Sequence, residues 1–204
     1  MTERERADFG RQVIGIAMAY ALFAWQPDER NILHGLDVDG KRIDTPDCLW
    51  TEEESVGAWW RPGEINTGVP YAWGGGSTLE AFASAVAAGL PAGNIPFNRR
   101  HPISRFAAGV DCSGLLTVCW GLPKKIATMD IPGFADLLPR PEDMLPGDVL
   151  AMPGNHVMIF RSFTDGSAKE AVILDAAKSI GRVSQRTVHV PELLRGGFSA
   201  YRKP

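Results

Sequence analysis

Residues 5–26 read as one helix, with a run from Val13 to Trp25 that is apolar apart from the Tyr20 hydroxyl and interrupted only by Gly15, and it is predicted to end before Pro27. Residues 27–70 lose that pattern and are dense in Asp, Gly, Pro and Trp, with Asp39-Gly40 a predicted hairpin turn. A second helix is predicted to start at Ser77, because Ser77 and Glu80 have the spacing of a capping box and the alanine-rich run to Ala88 stops at Gly89. Residues 90–109, which include Arg99, Arg100 and His101, read as a connecting loop. A third helix opens at Asp111 or Cys112 and runs to about Trp120, closed by Gly121 and Pro123.

After Pro146 the pattern changes to short β-type runs: Gly147–Met152, His156–Phe163, Ala171–Ala176, Arg182–Val190 and Phe198–Arg202. Pro153-Gly154-Asn155 and Asp165-Gly166 separate them at hairpin distances. Helices followed by closely spaced strands predict an α+β fold with a mostly antiparallel, five- to six-stranded sheet. A doubly wound sheet is not expected, since no helix-length segments alternate with these strands.

Composition narrows the functional classes. The chain has 204 residues, enough for one domain or one domain with a decorated arm, and 45% of them are hydrophobic against 22% charged, as in an ordinary globular protein. Twenty-one Lys and Arg against 24 Asp and Glu leave a formal charge of −3, which provides neither a basic footprint for nucleic acid nor a polybasic attraction to an anionic membrane. The Val13–Trp25 run is too short to span a bilayer, and the mixed charges of Thr2–Gln12 are unlike the cationic lead of a signal peptide. Three cysteines make no disulfide framework, and with these features a cytoplasmic location is expected, with export by another route as the alternative. Asp37, Asp39 and Asp44 do not make a calcium loop, because Gly40 falls in the wrong place, and a polar hairpin is expected instead. No metal or cofactor is called for. The adjacent Trp59 and Trp60 are expected to pack rather than to bind glycan.

The chemistry-bearing segment is Gly109-Val110-Asp111-Cys112-Ser113-Gly114-Leu115-Leu116. A thiol at the first turn of a helix meets unsatisfied N–H groups and the positive end of the helix dipole, which favour a thiolate nucleophile. Asp111 is a good N-cap, while Leu115, Leu116 and Cys119 continue the buried stripe of the same helix. Cys119 therefore reads as core, and Cys48 lies in a loop without an identifiable partner. A cysteine nucleophile needs a base, and His156 fits best among His34, His101, His156 and His189, since it is the one polar residue at the mouth of an apolar strand. Alternation puts His156, Met158 and Phe160 on one face. Asp175 is the one charged residue in Ala171–Ala177 and needs a partner if buried, which makes it the candidate to orient the imidazole, with Glu170 in reserve.

Four motifs in order, Tyr71-Ala72-Trp73-Gly74-Gly75, Asp111-Cys112-Ser113-Gly114-Leu115, Leu145-Pro146-Gly147-Asp148-Val149 and Asn155-His156-Val157-Met158-Ile159, resemble the NlpC-type cell-wall cysteine peptidases over residues 69–204, about two-thirds of the chain. The resemblance implies a papain-like fold and hydrolysis of peptidoglycan stem peptides, commonly between γ-D-glutamyl and a diamino acid. It implies Cys112 as nucleophile, His156 as base and Asp175 as third member, with Tyr71, Trp73, Asp111 and Ser113 on the substrate side. Residues 1–68 form an N-terminal arm on this view. The chain departs from the family pattern in the roughly 35-residue interval between the Tyr-Trp-Gly-Gly motif and the cysteine, and in Asp175 where many relatives carry His. The same triad would also serve an acyltransferase or amidase on another substrate, and the fold without the chemistry would be an inactive wall-binding module.

Overall fold

The computed structural model describes residues 1–49, 57–95 and 102–204. Arg99, Arg100 and His101 lie outside the described residues. In chain order the elements are α1 (Glu3–Leu22), β1 (Ala24–Trp25), β2 (His34–Leu36), β3 (Arg42–Asp44), β4 (Asn66–Thr67), α2 (Leu79–Ala87), α3 (Cys112–Cys119), β5 (Asp136–Leu138), β6 (Val149–Met152), β7 (His156–Phe163), β8 (Glu170–Ala177), β9 (Arg182–His189), α4 (Val190–Arg195) and β10 (Ser199–Arg202). The protein is thus α+β with a mostly antiparallel sheet of six strands.

Two of the predicted helix ends move. α1 stops at Leu22 rather than running to residue 26, because Ala24 and Trp25 pair with Thr67 and Asn66 as a short strand. The Trp25 indole donates to the Gly68 carbonyl at 2.8 Å and packs edge-on to Trp60 and Phe82, a burial that outweighs continuing the helix. At α2 the cap is Thr78, whose hydroxyl accepts from Ala81 N–H at 3.1 Å, and not Ser77. Ser77 has other work: its hydroxyl accepts from Gly109 N–H at 3.2 Å and its carbonyl accepts from the Tyr20 hydroxyl at 2.8 Å.

The chain forms two compact units, and it passes from one to the other within α1, α3, β8 and β9. The first comprises Met1–Ala19, Leu115–Asp175 and Gln185–Pro204. It holds most of the six-stranded sheet, in the order β5-β10-β6-β7-β8-β9. β6 to β9 follow one another as a meander, and β10 returns to the far side of β6. The β6–β7 hairpin pairs Met152 with His156 and Leu150 with Met158. Its turn closes where Asn155 N–H donates to the Met152 carbonyl at 2.9 Å. One sheet face carries Leu150, Met158, Phe160, Ile173 and Ala200, which form a core cluster with Val188 and Val190. Met158 and Phe160 share that face with His156 by strand alternation, so the base candidate is anchored on a packed platform. β5 is an edge strand that the apolar pattern had not marked, since Leu137 is largely exposed.

The second unit comprises Tyr20–Gly114 and Ala176–Ser184. Trp60 is fully buried, and Trp25 lies edge-on to both Trp59 and Trp60 with ring centroids 6.0 and 5.6 Å away. The Trp59 indole donates to the Gly181 carbonyl at 2.9 Å, so both tryptophans serve packing. β2 and β3 form the expected hairpin at Asp39-Gly40, where Gly40 takes a φ of 72° and the Asp37 carboxylate accepts from Asp39 and Lys41 N–H at 2.8 Å each.

Candidate functional site

The cysteine segment belongs to the second unit. Cys112 is the first residue of α3 and is partly exposed. The residue before it, Asp111, is buried, and its Oδ1 accepts from Gly114 N–H at 2.6 Å and from the Ser113 hydroxyl at 2.9 Å. That is the expected N-cap. Its second oxygen does something the sequence did not reveal: Oδ2 accepts from Gly74 N–H at 3.0 Å. One carboxylate therefore ties the start of the cysteine helix to the Tyr-Trp-Gly-Gly segment.

Backbone pairing strengthens that tie. Ala72 N–H donates to the Val110 carbonyl at 3.0 Å, Val110 N–H to Pro70 at 3.2 Å and Asp111 N–H to Gly75 at 3.1 Å. The roughly 35-residue interval in sequence thus closes into direct contact. Gly114 explains how closely: a Cβ built there would overlap the Gly75 carbonyl oxygen, so a larger residue at that position forces the two segments apart. Tyr71 is buried and bridges Val110, while Trp73 is partly exposed. Ser113 is buried as well.

The histidine pair belongs to the first unit. His156, partly exposed, is the first residue of β7, and its Nε2 lies 2.7 Å from Oδ2 of Asp175. Asp175 sits in β8 and is 1% exposed. Glu170, the reserve candidate, is exposed at the start of β8, and Asp175 is the acid bonded to the imidazole. Arg186 of β9 completes the group, donating from Nη2 to Oδ2 at 2.7 Å and from Nε to Oδ1 at 3.2 Å. Burial pushes the Asp175 carboxyl up, but hydrogen bonds from His156 and Arg186 and their charge outweigh it and hold the group below the ordinary carboxylate range. Sequence reading missed Arg186. The available signal was that β9 follows β8 through the short turn after Ala177, which makes a cation on β9 a natural partner for a buried acid on β8.

The other described histidines, His34 and His189, have carboxylates of their own. His34 Nε2 pairs with the fully buried Asp47 at 2.9 Å, and His189 Nδ1 lies 3.6 Å from Glu192. The His34–Asp47 pair had not been anticipated. Cys119 is buried in α3, and burial pushes its thiol up, as suits a core residue. Among the described residues no group of three or more His, Cys, Asp and Glu is placed to hold a metal ion. Among the same residues no helix is long and apolar enough to cross a membrane.

A carboxylate only accepts, so a neutral imidazole in this pair carries its proton on Nε2 and its lone pair on Nδ1. The first unit thus holds a buried acid bonded to an imidazole, and the second a partly exposed thiol at a helix start. No protein-family model, no curated protein and no solved structure matches the chain.

Proposed function

We propose that the protein is a cysteine hydrolase that cleaves an amide bond in peptidoglycan stem peptides, between γ-D-glutamyl and a diamino acid. The observation that carries the reading is the 2.7 Å bond between His156 Nε2 and the buried Asp175 carboxylate, the first singled out by its place in the motif order and the second as the one charged residue of an apolar run. The four motifs that resemble NlpC-type peptidases and the α+β architecture support a papain-like arrangement.

On this reading Nδ1 of His156 takes the Cys112 thiol proton and the sulfur attacks the substrate carbonyl carbon. Backbone N–H groups at the start of α3 stabilise the resulting oxyanion. The C–N bond breaks as the leaving amine receives the proton from His156, which leaves a thioester on Cys112. Water then gives a proton to His156 and attacks the thioester, releasing the acid and restoring the thiol. Asp175 holds the ring and stabilises its charged form. Tyr71, Trp73, Asp111 and Ser113 bind the substrate side, with Asp111 also capping α3.

The test is incubation with muropeptides and mass spectrometry of the products. New amine and acid ends from the natural protein, absent with Cys112→Ala, are expected. Turnover that survives in the alanine variant removes the mechanism, and turnover of other amides with none of muropeptides removes the substrate class.

A further inference from the structure

The carboxylate of Asp175 holds two donor groups, an imidazole and a guanidinium. Its Oδ2 is shared, with His156 Nε2 and Arg186 Nη2 each at 2.7 Å, and its Oδ1 takes Arg186 Nε at 3.2 Å. The acid's side chain is completely buried while that of Arg186 is 36% exposed, so the guanidinium reaches in from the rim of the sheet. Nη2 also lies 3.5 Å from Sδ of Met158, two residues along β7 from His156. A carboxylate turns easily about its last torsion, and one hydrogen bond to an imidazole would leave it room to swing. A two-point guanidinium fork removes that freedom, because the planar donors match the planar acceptor.

We propose that Arg186 is a positioning residue of the His156–Asp175 pair, gripping both carboxylate oxygens so that Oδ2 presents one fixed acceptor to the imidazole. Its catalytic meaning rests on the cysteine-hydrolase reading, whereas the grip itself rests on the geometry. Arg186 acts through Asp175. It also has an electrostatic consequence: a second cation on the same oxygen opposes protonation of the ring, which keeps His156 a neutral proton acceptor at lower pH than Asp175 by itself would allow. On the sheet His156 meets the charge of Asp175 on β8 and, through it, that of Arg186 on β9, and β6 opposes it with the uncharged Met152.

The experiment follows the His156 ring by nitrogen-15 NMR across pH in the Cys112→Ala background, which removes the thiol's own titration. Arg186→Gln is expected to raise the His156 midpoint by about one unit, roughly tenfold in proton affinity. Arg186→Lys, which keeps the charge and loses the fork, is expected to recover about half of that shift and not all of it. In Arg186→Gln the imidazolium becomes the remaining cation on a buried acid. Stability from that pair is present below the unfolded histidine's pKa and is lost as pH rises through the raised folded value. The glutamine variant should therefore melt lower at pH 8.5 than at pH 5.5 by several degrees more than the Arg186 protein does.

A midpoint and a melting trend that match those of the Arg186 protein overturn the proposal. So does a lysine variant that restores the Arg186 midpoint in full, since charge without the fork would then suffice, and so does a glutamine variant unfolded at both pH values, which would make Arg186 purely structural. None of these readouts needs turnover. A raised midpoint without muropeptide cleavage by the natural protein keeps the positioning role and removes the hydrolase. Cleavage with an unmoved midpoint does the reverse.

Discussion

Asp175 accepts a hydrogen bond from His156 at 2.7 Å while its own side chain has no exposure to solvent. Removing such an acid leaves two donors facing an empty acceptor site. Asp175→Ala is expected to cost about 3 kcal/mol of unfolding free energy, at the lower end for a broken buried pair because Arg186 reaches solvent. Urea unfolding at pH 7 measures it, and Glu170→Ala, at an exposed position of the same strand, should stay within about 0.5 kcal/mol.

The same carboxylate sets an acid dependence. Its folded pKa lies below that of the unfolded chain, about 3.9, so its stabilising effect is complete above that value and disappears as pH falls through the folded one. The natural protein should lose stability below about pH 4 more steeply than Asp175→Asn, which carries no proton-linked term at that position. Unfolding free energies from denaturant titrations at several pH values between neutral and about 3 check this.

Cys112 and Cys119 should differ sharply toward iodoacetamide. On the proposed hydrolase reading, Cys112 is expected to label at pH 6 faster than an ordinary thiol, with the excess lost in His156→Ala. Cys119, 1% exposed, should label only after unfolding. Peptide mapping by mass spectrometry separates the two sites.

Gly114→Ala should destabilise by about 2–3 kcal/mol, since its Cβ meets a backbone carbonyl that cannot turn aside without disturbing Gly75 and Asp111. Gly133→Ala, where a Cβ meets nothing within 4 Å, is the control and should change little. Thermal melts of the two variants provide the comparison.

The α2 cap gives a further contrast. Thr78→Ala removes the bond to Ala81 N–H and should cost about 1 kcal/mol of protein stability in denaturant unfolding. Ser77→Ala instead releases the Gly109 N–H, so hydrogen exchange should rise at Gly109 and not at Ala81.

Much of this architecture could be read from the chain. The strands after Pro146 were legible because apolar runs such as Val157-Met158-Ile159-Phe160 are bounded by turn residues whose chemistry is local. Asp175 stood out because an acid inside an apolar run demands a partner, and the partner proved to be His156. What escaped depends on partners distant in sequence. β1 exists because Asn66 and Thr67 pair with it, and β5 because Leu137 lies beside Tyr201. Arg186 looked like any solvated residue of an alternating strand until β8 supplied a buried acid beside it. Ser77 satisfied the local capping rule as well as Thr78 does, and only the Gly109 amide and the Tyr20 hydroxyl decided between them.

Neither compact unit is a continuous stretch of polypeptide, since the first is assembled from three pieces and the second from two. Genetic dissection of this protein by truncation will therefore mislead: removing residues 1–68 deletes part of both units at once. Circular permutants at exposed turns such as Asp165-Gly166, which keep every piece on the same chain, are the form in which its parts can be rearranged without being lost.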